Sequence, residues 1–211
     1  MTAPVIILGS GGHARVLLDV LRQCGVEVLG CTGPGSAPAE TPPAGLNYLG
    51  SDEAITQAPV KVRLVNGLGG VGDTAPRRQL FARFKEKGYV FATLVHPSAV
   101  VAGDAVLGEG AQVMAGVVLQ PGCVLGDNAI VNSGAVIDHD GHIGAHCHVA
   151  PGAVLSGAVT LGEGVHVGTG AAVIQGVTIG AGAVVAAGAA VTEDVSAGAK
   201  VMGVPARMVQ Q

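Results

Sequence analysis

Along the second half of the chain, an apolar position recurs at every sixth residue. From Val101 the series runs through Leu107, Val113, Leu119, Leu125, Val131, Ile137, Ile143 and Val149 to Val191, and all sixteen members are Val, Leu or Ile. Four residues after each stands Ala, Val, Cys or Gly, from Ala105 through Cys123, Gly141 and Cys147 to Val195. A period of six fits neither an amphipathic helix nor the two-residue alternation of a half-buried strand. It fits a parallel β-helix in which each hexad makes one short strand and one corner. The aliphatic side chain points inward, the small residue fits the narrow interior beside it, and the glycines between them turn the chain.

Residues 1–92 follow a different pattern and predict an α/β domain, with the β-helix occupying 93–211. Val5-Ile6-Ile7-Leu8 reads as a buried strand running into Gly9-Ser10-Gly11-Gly12. A helix follows over roughly His13–Cys24, with Val16, Leu17, Val20 and Leu21 as its apolar stripe. Val26–Gly30 and Val60–Val65 read as further strands, and residues 31–47, rich in Pro, Gly, Ala and Ser, as a loop. Ser51-Asp52-Glu53 has the look of a helix start, with acids in the first turn. Ala75–Lys87 is an amphipathic helix with Leu80, Phe81 and Phe84 inward and Arg77, Arg78, Arg83, Lys85 and Lys87 outward, and Tyr89–Val95 is another strand. Strands alternating with helices imply a small parallel sheet.

Composition narrows the function. Eleven Lys and Arg against fifteen Asp and Glu leave no basic surplus for a phosphate backbone. Three Phe, two Tyr and no Trp provide no platform for stacking bases, so nucleic acid is not an expected partner. The apolar runs are broken by glycine and none reaches a membrane span, and Met1-Thr2-Ala3-Pro4 lacks the basic start of a signal peptide. Cytoplasmic localisation is the expectation. The four cysteines show no CxxC spacing and read as reduced, small core residues.

Chemistry concentrates in one stretch, Asp138-His139-Asp140-Gly141-His142-Ile143-Gly144-Ala145-His146-Cys147-His148, which holds four of the seven histidines. An imidazole can take a proton from an attacking amine or hydroxyl near neutral pH. A carboxylate beside it can fix its tautomer and stabilise the charge that develops. His139 has an acid on each side, but strand neighbours point to opposite faces, so a bond from an adjacent Asp requires a corner. The alternative is a set of solvated turn residues. His148 and His166 are eighteen apart, and with three hexads per coil they stack on one face. They either line a ligand groove or present two exposed ring edges. A metal ion shared by His139, His142, His146 and His148 is a third reading; the six-residue β-helices that resemble metal-dependent carbonic anhydrases take a His pair five residues apart, whereas the local spacings here are three, four and two.

The hexads resemble those of the hexapeptide-repeat acyltransferases, whose fold is a left-handed triangular prism. The order Gly9-Ser10-Gly11-Gly12-His13, an α/β module, His96-Pro97-Ser98-Ala99, Asn132, Asp138-His139-Asp140 and a Gly203-Val204-Pro205-Ala206-Arg207 tail is similar to one branch of them, the bacterial sugar acetyltransferases of the NeuD/PglD type. The resemblance implies a homotrimer with acetyl-CoA as cosubstrate, no metal, and active sites between neighbouring prisms. It implies His139 as general base and Asp140 as the acid that orients it. It places His148 at the thioester of acetyl-CoA and His166 on the same coenzyme-binding face, Gly203 and Pro205 in the tail near the adenine, and Asn132 beside the substrate.

Gly9-Ser10-Gly11-Gly12-His13-Ala14 also fits a phosphate-binding turn between strand and helix. A dinucleotide site would need an acid at the end of the second strand, where the chain reads Leu29-Gly30-Cys31-Thr32-Gly33. NAD is therefore not expected. By resemblance, Gly9, Ser10, Gly11, Gly12 and His13 receive the diphosphate of a nucleotide sugar, whose base stays open; a tight turn without a ligand is the alternative. The expected reaction is transfer of acetyl to the amino group of a nucleotide-linked amino-deoxysugar. O-acetylation of sialic acid or a related free sugar, a non-catalytic trimer that binds nucleotide sugar, and a metalloenzyme are the other readings.

Overall fold

A computed structural model describes residues 3–35, 45–57, 62–70 and 72–209. The N-terminal part is a three-stranded parallel sheet. Its centre is β1 (Val5–Leu8), flanked by β2 (Val28–Thr32) and β3 (Arg63–Asn66). Helix α1 (Gly12–Gln23) follows β1, and helix α2 (Ala75–Glu86) follows β3. Asp52–Gln57 form a short 3-10 helix where the acid-rich start was expected. Four buried residues in a row make β1 the middle of the sheet, with Val5 and Ile7 packed toward α1 and Ile6 and Leu8 toward Phe81 and Phe84 of α2.

The rest of the chain is a β-solenoid of about six turns, a left-handed parallel β-helix. Each turn is three two-residue strands joined by tight corners. One face stacks Leu94–Val95, Gln112–Val113, Ile130–Val131, His148–Val149, His166–Val167, Val184–Val185 and Lys200–Met202, and the antiparallel strand Arg207–Met208 closes its end. The second face runs from Val100–Val101 through Val118–Leu119, Val136–Ile137, Val154–Leu155 and Ala172–Val173 to Ala190–Val191. The third runs from Val106–Leu107 through Val124–Leu125, His142–Ile143 and Thr160–Leu161 to Thr178–Ile179. The sixth-residue aliphatics face inward and most are completely buried, as are Ala111, Cys123, Ala135, Cys147 and Ala153 beside them. Corner residues with positive φ are mostly glycine, but Asn128, Asp140, His146 and Ala158 take that conformation with φ near +60°.

The α/β part lies against the first face. The outward slot of that face, which would meet water in a bare prism, is buried at Leu94, Gln112, Ile130, His148 and His166. Among the described residues the other faces have no such cover. On the second face Val100 is 64% exposed and Val154 43%, with Val118, Val136, Ala172 and Ala190 completing an apolar stripe. The third face is more polar, with His142, Thr160 and Thr178 exposed.

Several expectations are corrected. Arg77 does not point outward from α2; it is 1% exposed and sits between helix and prism. Val16 lies outside the buried stripe of α1, whose inward residues are Ala14, Leu17, Leu18, Val20 and Leu21. Tyr89–Val95 does not form one strand. Phe91 makes an isolated bridge to Leu64 and Leu94–Val95 pairs with Gln112–Val113, so the segment is shared between sheet and prism. Cys24 is exposed, its thiol donating to the carbonyl of Val95, while Cys31, Cys123 and Cys147 are buried and all four are free. The strand expected over 60–65 begins at Arg63; Val60 and Lys61 lie outside the described residues, as does much of the loop expected at 31–47.

Candidate active site

Two groups of side chains form on different edges of the prism. The first is His139 with Asp140, in the corner that leads from Val136–Ile137 on the second face to His142–Ile143 on the third. Asp140 takes a left-handed backbone, φ +58°. That turn brings two adjacent side chains together, and Nδ1 of His139 lies 2.9 Å from Oδ2 of Asp140. The carboxylate can only accept, so Nδ1 carries the proton and Nε2 keeps its lone pair. Asp138 accepts from the backbone N–H of His139 at 2.7 Å. The hydrogen bond that Nδ1–H donates to Asp140 raises the imidazole pKa above its usual 6.5. The His139 side chain is 52% exposed.

The second group lines a cleft of about 570 Å³ between the α/β part and the first face. Gly11, Gly12 and His13 stand on one side, Leu68 and Gly70 on another, and Asn132 and His148 on the prism. His148 is 6% exposed. Its Nδ1 donates to the carbonyl of Gly70, and its Nε2 accepts from the Asn132 amide at 3.2 Å. Burial pushes its pKa down to about 4 and keeps the ring neutral. Nε2 of His13 donates to Oε1 of Gln112 at 2.8 Å. Burial, with Arg77 nearby, lowers its pKa to about 4 as well. His166 stacks above His148 in register, ring centroids 5.2 Å apart and nearly perpendicular. It is buried, with Nδ1 lacking a partner among the described residues. The eighteen-residue ladder of rings therefore exists, covered by the α/β part.

Behind this cleft lies Arg77. Its Nη1 donates to the carbonyls of Asn66 and Leu68 at 2.8 Å, and its Nε to that of Asn128 at 3.2 Å. Asn66 in turn donates to Asn128, and Gln112 to the carbonyl of Asn66. This web fixes the segment from Asn66 to Gly70, and with it the carbonyl that holds His148. Neither Arg77 nor Gln112 was among the expected site residues. Gln112 was visible in principle, because it occupies the same outward slot as His148 and His166.

The glycine turn leads into the cleft. Gly9 has φ +108°, and a Cβ there would meet Leu68 and Gly67. Ser10 is buried, and Gly11 caps α1 without a side-chain bond, leaving backbone N–H groups at the cleft. A neighbouring cleft of about 360 Å³ lies beyond Gly9, between Gly33, Pro34, Asp52, Leu68 and Arg83. Gly203 and Pro205 are far from both, in the exposed turn between Lys200–Met202 and Arg207–Met208 at the end of the prism. Among the described residues no cluster of three or more His, Cys, Asp or Glu is placed to hold a metal, and no helix is long and apolar enough to cross a membrane.

The prism separates the two groups. Asn132 and His148 belong to the first face and the edge it shares with the second, whereas His139 stands on the far edge of the second face. One chain does not bring His139 to the cleft.

The PglD N-terminal domain family matches residues 4–84. The bacterial transferase hexapeptide family matches 104–139, and the hexapeptide repeat of succinyl-transferase matches 158–193. UDP-N-acetylbacillosamine N-acetyltransferase of Bacillus subtilis is 38% identical over 112 residues, a segment that covers 53% of this chain and only about half, 51%, of that relative. A histidine-to-alanine variant of GDP-perosamine N-acetyl transferase from Caulobacter crescentus, solved with CoA and GDP-perosamine, superposes with a TM-score of 0.92 at 38% identity, over 100% of this chain and 99% of that one. The acetyltransferase domain of PglB from Neisseria gonorrhoeae, solved with acetyl coenzyme A, gives 0.89 at 32% identity over 99% and 100%. With a full-length relative at this identity, matching both the α/β part and the prism, the chain belongs to the PglD-type hexapeptide-repeat sugar acetyltransferases.

Proposed function

We propose that this protein transfers acetyl from acetyl-CoA to the amino group of a nucleoside-diphosphate-linked amino-deoxysugar, in sites shared between neighbouring copies of the chain. The observation that carries this reading is the placement of two half-sites on opposite edges of one apolar face. The second face has Asn132 at one edge and His139 at the other, with the Val100–Val154 stripe between them. A ring of copies that turns this stripe toward its axis puts the His139 edge of one against the cleft of the next, and a closed trimer satisfies every copy equally.

In that shared site the sugar's neutral amine attacks the thioester carbonyl of acetyl-CoA. Nε2 of His139 takes the proton that the nitrogen sheds, while Asp140 holds Nδ1–H and stabilises the imidazolium. The tetrahedral intermediate collapses with loss of the CoA thiolate, leaving an amide. The glycine turn at Gly9–Gly12 and the start of α1 present backbone N–H groups suited to a diphosphate. His13, His148 and His166 stay neutral there, since burial depresses the pKa of each. Asn132 and His148 line the wall nearest the reacting groups, and Gly203 and Pro205 at the prism end are suited to the distal part of the coenzyme. The relatives named above that act on or bind perosamine and bacillosamine nucleotides support an amino-sugar acceptor. They differ in nucleotide base, so guanosine- and uridine-linked sugars are both to be offered.

The test is thiol release from acetyl-CoA with GDP- and UDP-linked amino sugars and with free sialic acid as acceptors. Turnover with a nucleotide amino sugar, lowered at least about 100-fold in His139→Ala, is expected. Turnover only with sialic acid would replace N-transfer by O-transfer. Nucleotide-sugar binding with no thiol release from any acceptor would leave a binding protein.

A further inference from the structure

The corner that carries His139 recurs in every coil of the second face. Strand register places Gly103, Pro121, His139, Gly157 and Gln175 in one column. Pro, His and Gln in that column show that the corner accepts a side chain, and Gly157 itself has no positive φ that would demand glycine. Yet a Cβ on Gly157 would lie 2.4 Å from Nε2 of His139, 2.6 Å from Cε1 and 3.0 Å from Cδ2. These are its three nearest atoms, and all belong to one ring. The imidazole of His139 lies over the bare Cα of the next coil. At Gly103, three coils below Gly157, an added Cβ meets nothing within 4 Å.

We propose that Gly157 is a positioning residue for His139: by lacking a Cβ it leaves the space in which the imidazole lies, bonded to Asp140 and with Nε2 free. This rests on the reading of His139 as the general base. A methyl at 157 occupies the place of the basic nitrogen, so the ring must swing off the coil. His139 is a half-exposed side chain at an edge, so that movement is easy and the prism is undisturbed. What is lost is the bond to Asp140 and the direction of the lone pair. The raised pKa of His139 depends first on that bond.

Gly157→Ala is compared with Gly103→Ala, a control of the same chemistry in the same column. Gly157→Ala is expected to lower kcat by about 10- to 100-fold with KM for acetyl-CoA and for the sugar nucleotide near wild type. Its Tm should match that of Gly103→Ala, which keeps wild-type kcat. An NMR titration of the His139 ring should fall back toward 6.5, as in Asp140→Asn. In a His139→Ala background the same glycine substitution should change neither Tm nor residual activity, because the three atoms nearest the methyl are then gone. A wild-type titration of His139 in Gly157→Ala overturns the proposal whatever the rate, and so does a Gly157→Ala chain that fails to fold. A shifted titration with undiminished kcat upholds the seat and overturns His139 as the base instead.

Discussion

Asp140 carries a conformational cost that a glycine at the same corner avoids. Gly122 in the coil below and Gly176 two coils above hold the same left-handed corner position, and Ala158 in the coil between shares it with Asp140; an L-residue there costs roughly 1 kcal/mol. The return is a carboxylate folded back onto Nδ1 of the preceding residue. Removing its charge as Asp140→Asn should let the His139 pKa fall. A general base works only when unprotonated, so activity declines as pH drops through that pKa. Because Asp140 raises it, the acid limb of kcat/KM should lie above 6.5 in the wild type and move to lower pH in Asp140→Asn. The variant's kcat should drop less than that of His139→Ala, since the base survives with a weaker partner. A pH–rate profile of the three proteins across roughly pH 5 to 9 checks both statements. His139 and Asp140 could be read from the chain as a pair, provided a corner fell between them. Which corner conformation, and which way the ring turned, could not, because the first is set by how the coils stack and the second by what the next coil places beside the ring.

Helix α2, the segment after β3 and the first face of the prism are tied together by a cation that no carboxylate accompanies among the described residues. Arg77 is bonded to three backbone carbonyls, and its remaining Nη2 is buried without a partner among the described residues. Burial lowers its pKa to about 9, leaving it charged at neutral pH. Arg77→Met should cost about 3 kcal/mol, because the carbonyls of Asn66, Leu68 and Asn128 lose their donors inside the molecule. Arg77→Lys should recover only part, as one ammonium does not reproduce the fork. Urea unfolding of the three chains measures this. The periodic elements were legible, since inward Val, Leu and Ile repeat whenever burial repeats. Arg77 was not, because its place among the charged residues of α2 resembles that of Arg78 and Arg83. Only the packing of α2 against Asn128, fifty-one residues away, distinguishes it. Phe91 misled for a related reason: its apolar neighbours serve the sheet and the prism in turn, and composition does not record the change.

Across the whole molecule, the half-sites on two edges predict complementation. A chain carrying His139→Ala keeps its cleft, and one carrying His13→Ala together with Asn132→Ala keeps its base. Each alone should be nearly inactive. Unfolded together and refolded, they should recover roughly a quarter of wild-type activity, since in random mixing one junction in four joins an intact base to an intact cleft. Light scattering should find a closed oligomer, and Val136→Glu, which puts a charge in the middle of the apolar face, should break it into monomers and abolish turnover. The eighteen-residue coil that pairs His148 with His166 also restricts how the gene can lengthen or shorten. Gain or loss of a single hexad upstream of His139 would preserve the aliphatic spacing, yet rotate everything downstream by a third of a revolution and carry the base to an edge no neighbour reaches. Drift in length within this part of the chain is therefore confined to whole coils.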